Sequence, residues 1–299
     1  MDGVSFPLNR GETLGLVGES GCGKSITALS ILRLVPRPVA RIVGGQVLFK
    51  GEDLLRKSEK EMRRYRGSHI SMILQDPMTA LNPVFNIGEQ VMEPLRIHQH
   101  IQKNALKARA IDILRVLRVP AAESRLCSFP HEFSGGMRQR VVGAISLSCQ
   151  PELLIADEPT TSLDVTIQAQ YLKLLREIQQ DQGLSIIFIT HDFGIVARVC
   201  DWVAVMYAGR VVEIATVQDL FKKPVHPYTQ ALLNSVPTIG SDAKKRLLSI
   251  EGDLPSIYNL PQGCTFAPRC DYVMQRCREE YPPEVSVESG HTSRCWRLA

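Results

Sequence analysis

The segment Gly18-Glu19-Ser20-Gly21-Cys22-Gly23-Lys24-Ser25 constrains this chain more than any other. It follows the apolar run Thr13 to Val17, which reads as a buried strand. It precedes Ser25 to Leu34, a helical stretch that Pro36 stops. Glycines let such a loop curl until its N–H groups point inward at phosphate oxygens, and the helix behind it adds the positive end of its dipole. Lys24 can then reach terminal phosphates as a point charge, and the Ser25 hydroxyl can bind Mg2+. A G-x-x-x-x-G-K-S pattern with a strand before it and a helix after it predicts nucleotide phosphate binding. Cys22 reads as a small side chain in a crowded loop, with no redox role.

A loop of this kind needs a sheet behind it. Val47 to Phe49, Ile70 to Leu74, Leu153 to Ala156, Ile186 to Ile189, Val203 to Tyr207 and Val211 to Ile214 are short apolar runs that read as strands. Val165 to Gln180 and Phe193 to Val199 read as helices, and the alternation predicts an α/β fold with a mainly parallel sheet. Ile87 to Val119 carries helices only, with Leu106, Ala110, Ile113, Leu114 and Leu117 on one face, so it is expected as an insertion into that sheet. Hydrophobic residues make up 44% of the 299, enough for a sizeable core. Beyond Phe221, eight prolines predict a loop-rich tail too proline-dense for regular elements.

The run Leu153-Leu154-Ile155-Ala156 ends in two acids, Asp157 and Glu158. Carboxylates at the end of a buried strand are costly unless they are used. Asp157 is positioned to support Mg2+, and Glu158 to face an attacking water as general base. His191, after an apolar strand, suits a sensor of a γ-phosphate, and Gln75 can offer its carbonyl to Mg2+ or water. Taken alone, each also fits a structural residue.

Phe133-Ser134-Gly135-Gly136-Met137-Arg138-Gln139-Arg140 resembles the signature motif of ABC-type ATPases, with phenylalanine where the family usually has leucine. Serine and two glycines at a helix start make a second anion site by the same dipole logic. Ser162-Leu163-Asp164 resembles the family's D-loop, His191 its switch histidine and Gln75 its Q-loop residue. The resemblance implies a P-loop NTPase: a nucleotide-binding domain over 1–222, with a RecA-like core at 1–75 and 134–222 and a helical subdomain at 76–133, then an extension over 223–299. It implies ATP and Mg2+ as ligands, with catalytic roles for Glu158, His191 and Gln75. Gly18 to Ser25, Asp157, Ser134, Gly135, Gly136, Gln139 and Asp164 would hold the nucleotide, and Ser25 and Gln75 the metal. It further implies a head-to-tail dimer in which one subunit's loop and the other's Ser134-Gly135-Gly136 turn clamp each ATP. Family members also carry an adenine-stacking aromatic on a strand ahead of the position of Met1, for which Phe6 is poorly placed.

His226-Pro227-Tyr228-Thr229-Gln230-Ala231-Leu232-Leu233 and Cys264-Thr265-Phe266-Ala267-Pro268-Arg269-Cys270 resemble the tail of the dipeptide, oligopeptide and nickel importer branch, in the form of the first of two paired ATPases. That implies a second ATPase subunit in a heterodimer, two membrane permease subunits, an extracytoplasmic binding protein acting indirectly, and a peripheral place on the cytoplasmic face of the membrane. Cys264, Cys270, Cys277 and Cys295 are separated by five, six and seventeen residues. Four thiolates can hold a [4Fe–4S] cluster or zinc, or stay as reduced thiols; the gaps are wide for zinc, and the resemblance favours the cluster. Arg269, Arg276, Arg278 and Arg294 could offset its charge or stay solvated.

The function so implied is ATP hydrolysis that energises peptide import, with nickel or another small solute as the alternative cargo. A soluble ABC ATPase acting on nucleic acid or ribosomes is disfavoured by a net charge of only +4, a single cassette and the absence of heptads. No run of apolar residues is long enough to span a bilayer, and the start carries no secretory signal pattern.

Overall fold

A computed structural model describes residues 1–99, 101–236 and 250–299. In chain order, β1 (Thr13–Val17) leads through the glycine loop to α1 (Lys24–Ile31), then a small hairpin of β2 (Leu48–Phe49) and β3 (Glu52–Asp53), α2 (Glu59–Tyr65) and β4 (Ile70–Ile73). The helical stretch holds α3 (Pro77–Ala80), α4 (Ile87–His98), α5 (Lys103–Val116), α6 (Ala122–Arg125) and α7 (Gly135–Leu147). Then come β5 (Leu153–Asp157), α8 (Val165–Gln182), β6 (Ser185–Thr190), α9 (Phe193–Val199), β7 (Trp202–Tyr207), β8 (Arg210–Thr216) and α10 (Val217–Lys222). The tail adds α11 (Pro227–Asn234), α12 (Gln275–Glu279), β9 (Val285–Glu288) and β10 (His291–Ser293).

The chain forms two compact units. The first comprises Met1–Leu8, Thr13–Leu29 and Ile189–Ala299. In it β1 pairs parallel with β7, β7 antiparallel with β8, and β8 antiparallel with β10, which also pairs with β9. Every residue of β1 is buried, Thr13 included, as its mostly apolar run requires of a strand covered on both faces. Val17, Phe193, Val203, Val205 and Tyr207 form one core with Tyr228 and Phe266 of the tail.

The second unit comprises Asn9–Glu12 and Ser30–Phe188. There β4 and β5 pair in parallel, Ile70 opposite Leu153 and Ile73 opposite Ala156. Leu106, Ala110, Ile113 and Leu114 line the buried face of α5, as their spacing predicts. Helix α8 is framed by its own sequence: the Asp164 carboxylate accepts from the N–H groups of Thr166 and Ile167, and Gly183 ends it at φ 64°.

The tail departs from expectation, because its prolines frame elements instead of preventing them. Pro227 occupies the first turn of α11, where its missing N–H costs nothing. The buried Glu213 carboxylate accepts from the N–H groups of Val225 and His226 at 2.9 and 3.0 Å and lies 2.8 Å from His291 Nε2, so β8 gathers both ends of the tail. Part of the tail, residues 237–249, lies outside the described residues.

Candidate functional site

In the first unit, the loop after β1 has the curled shape that its glycines foretell. Gly18, Gly21 and Gly23 adopt φ of 152°, 85° and 110°. A Cβ on Gly18 would stand 2.2 Å from the Met206 carbonyl oxygen and 2.8 Å from Cys22 Sγ, so only glycine fits. Lys24 opens α1 and is 6% exposed; its ammonium donates to the carbonyls of Gly18 at 2.8 Å and Glu19 at 3.0 Å. The turn after β7 braces the loop from below, Gly209 N–H donating to the Cys22 carbonyl at 2.8 Å. Cys22 is buried, and burial pushes its thiol up, which keeps it protonated and inert.

Two loop partners come from the tail, and the sequence does not announce either. The Glu19 N–H donates to the Tyr228 hydroxyl at 2.9 Å, and the Glu19 carboxylate receives two bonds from Arg269, at 2.8 and 2.9 Å. Tyr228 meets Tyr207 edge-on and Phe266 at a tilt, at ring separations of 4.6 and 5.3 Å. His191 follows β6 and is exposed, between Thr190 and the Asp192 that caps α9.

In the second unit, Asp157 closes β5 and is 4% exposed. Glu158 follows in the left-handed region at φ 45°, an uncommon conformation that turns its side chain out of the strand's alternation. The Glu158 carboxylate accepts from Gln75 Nε2 and from Thr161 Oγ1, both at 3.1 Å. Thus Gln75, just past β4, and Glu158, just past β5, meet because their strands are neighbours in register.

Ser134 caps α7, its Oγ accepting from the Met137 N–H, and Phe133 is buried beneath Arg125. Gly135 has open space about it, whereas a Cβ on Gly136 would lie 2.8 Å from Ile167, at the start of α8. The small residue brings the serine turn against the segment that carries Asp164. Gln139 turns inward and is buried.

The iron–sulfur expectation is corrected. Among the described residues no group of three or more His, Cys, Asp or Glu side chains is arranged to hold a metal ion. Cys264, Cys270, Cys277 and Cys295 do line one small cavity of about 20 Å3, with Phe266 and Trp296. Burial pushes the Cys264 thiol up to about 11 and raises Cys270 and Cys295, so with no metal bound these thiols stay protonated. Arg269 is spent on Glu19, Arg276 lies over the Trp296 ring, and Arg294 pairs with Glu284.

A family model described as "ABC transporter" matches residues 1–161, more than half of the chain, and one described as "Oligopeptide/dipeptide transporter, C-terminal region" matches residues 212–277. The chain belongs to the ABC transporter ATPases. It is 52% identical to the Probable peptide ABC transporter ATP-binding protein y4tR of Sinorhizobium fredii, over 99% of this chain and 89% of that one. It is 51% identical to the oligopeptide transport ATP-binding protein OppD of Bacillus subtilis, over 99% of this chain and 83% of that one. Among solved structures, CbiO1 from Clostridium perfringens, part of the transporter complex CbiONQ, matches with a TM-score of 0.64 at 28% identity, covering 74% of this chain and 83% of that one. No helix among the described residues of this ABC ATPase is long and apolar enough to cross a membrane.

Proposed function

We propose that this ABC ATPase hydrolyses ATP to energise the import of dipeptides or oligopeptides through separate membrane subunits. The observation that carries the reading is the near full-length likeness, at 51–52% identity, to proteins named for peptide transport, tail included. In this reading residues 1–222 are the nucleotide-binding domain, with its helical subdomain at 76–133, and 223–299 the extension. Its partners are a second ATPase subunit, two permease subunits and, indirectly, an extracytoplasmic binding protein. It works on the cytoplasmic face of the membrane.

The roles follow from the chemistry of each residue. The N–H groups of Gly18 to Ser25 not already engaged, as Glu19's is with Tyr228 and Cys22's with the Glu19 carbonyl, bind phosphate oxygens, and Lys24 exchanges its bonds to the Gly18 and Glu19 carbonyls for phosphate. The Ser25 hydroxyl and the Gln75 amide oxygen are hard donors that would suit Mg2+, which would supply charge neutralisation for the terminal phosphates. Asp157 supports that charge, and Glu158 takes the proton from the attacking water, oriented by Gln75 and Thr161. His191 holds the γ-phosphate end, while Ser134, Gly135, Gly136, Gln139 and Asp164 serve the nucleotide across the dimer.

The test is reconstitution with the permease, binding-protein and partner ATPase subunits, measuring solute-stimulated ATP hydrolysis. Di- or oligopeptides are expected to stimulate turnover several-fold. Stimulation by nickel or another small solute, with none by peptides, refutes the substrate assignment.

A further inference from the structure

A carboxylate inside an anion-binding loop is a liability. Glu19 is the second residue of such a loop, and its negative charge opposes the phosphates for which the loop is built. The fold answers with a residue 250 positions away. Arg269 is 5% exposed in its side chain, and its fork meets Glu19 in a two-bond pair at 2.8 and 2.9 Å. The remaining donors are directed as well. Nε bonds the Glu251 carbonyl at 2.8 Å, with longer contacts to the Ile250 carbonyl and the Tyr207 hydroxyl at 3.4 Å. The guanidinium is thus locked in place by the tail before it meets the loop. The pairing also holds its protonated state above the ordinary range, Glu19 contributing first and Tyr207 adding to it. Beside it the Tyr228 hydroxyl fixes the Glu19 N–H, and Leu254 rests over Gly21.

We propose that Arg269 is a positioning residue of the phosphate loop: it cancels the charge of Glu19 and holds that side chain away from the phosphates, so that the tail sets the affinity of this ATPase for ATP. The proposal rests on the reading of Gly18 to Ser25 as the phosphate site. It gives the tail a role in nucleotide binding, distinct from any role in cargo or partner choice. Glu19 and Arg269 are linked as a pair, so the second substitution undoes the first.

Equilibrium binding of ATP with Mg2+ to the purified full-length chain tests it, by calorimetry at about 0.05 and 0.5 M salt. Lys24→Ala is expected to abolish binding, which reports on the loop reading alone. Arg269→Gln is expected to weaken binding roughly five- to tenfold at low salt, the order of one unit charge about 7 Å from another at an effective dielectric constant of about 40, and by less at high salt. Glu19→Gln, which leaves Arg269 unopposed, is expected to tighten binding several-fold. The Glu19→Gln/Arg269→Gln double variant is expected to return to within about twofold of wild type, a rescue that a merely structural role for Arg269 does not produce. A folded Arg269→Gln protein that binds like wild type, or a double variant as weak as Arg269→Gln, overturns the proposal while leaving the loop reading intact. Should Arg269→Gln fail to fold, Glu19→Gln decides alone: tighter, salt-sensitive binding supports the proposal, and unchanged or weaker binding overturns it. Wild-type binding by Lys24→Ala, or no ATP binding by the unmutated chain, removes the loop reading and the proposal with it.

Discussion

Acidification is expected to destabilise the first unit through one imidazole. His226 is 2% exposed, its Nδ1 accepts the Tyr228 N–H at 3.1 Å as the cap of α11, and the Phe266 ring lies 6.0 Å away. Nδ1 must be unprotonated to accept that bond. Burial pushes the pKa of His226 down to about 3, against a smaller opposing pull from a main-chain hydrogen bond at Arg294; the Glu213 carboxylate accepts the His226 N–H at 3.0 Å. The folded-state pKa is depressed below the unfolded value of about 6.5, so the contribution is fully present above that pH and is lost as pH falls towards about 3. At pH 5.5 the unfolded chain holds a proton that the folded chain refuses, and the loss is about 1.4 kcal/mol. That figure holds for any folded pKa below about 4.5. His226→Asn keeps a capping oxygen but cannot titrate. Urea unfolding of both proteins at pH 7.5, 6.5 and 5.5 should show wild type losing about 1.4 kcal/mol relative to the variant across the range. A difference constant to within about 0.4 kcal/mol refutes the argument that the imidazole stays neutral inside.

Two further outcomes are expected. Glu158→Gln keeps the hydrogen bond from Thr161 but loses the base, so ATP binding is retained while phosphate release falls roughly 10^2- to 10^4-fold; retained turnover removes Glu158 from its role. At pH 7.5, Cys264, pushed up to about 11, is expected to resist iodoacetamide while the exposed Cys127 is alkylated, as read by peptide mass spectrometry; equal rates at the two sites contradict the buried-thiol description.

What the sequence revealed, and what it hid, divides along a physical line. The strands β1, β5, β6 and β7 were legible because central strands covered on both faces must be continuous apolar runs. The phosphate loop was legible because its glycine positions and lysine are local requirements of one turn. The meeting of Gln75 with Glu158 was half legible: each residue ends a strand, but only the register of β4 on β5 brings them to 3.1 Å. The tail's family was legible from its motifs, but its packing was not. His291-Thr292-Ser293 carries no apolar signal, and becomes β10 only because β8 offers it a ladder. Arg269 read either as a counter-charge to thiolates, since it adjoins Cys270 in sequence, or as solvated; its actual partner, Glu19, is set by the fold alone. The cysteine spacing likewise could not reveal how the side chains sit in space, and among the described residues they form no group arranged to hold a metal ion.

The added strands also bear on solubility. A border strand with open N–H and C=O groups is a template onto which a second molecule can crystallise its own backbone. Seven-residue β8 would be such a border, and β10 caps it through Ile214 and Glu213. The border then passes to β9, four residues long, flanked by Glu284 paired with Arg294 and ending in Glu288 paired with Lys223. A short rim with charged ends offers a passing chain little to grip. The tail thus works as a hem, and unpicking it exposes β8 to self-association through strand addition.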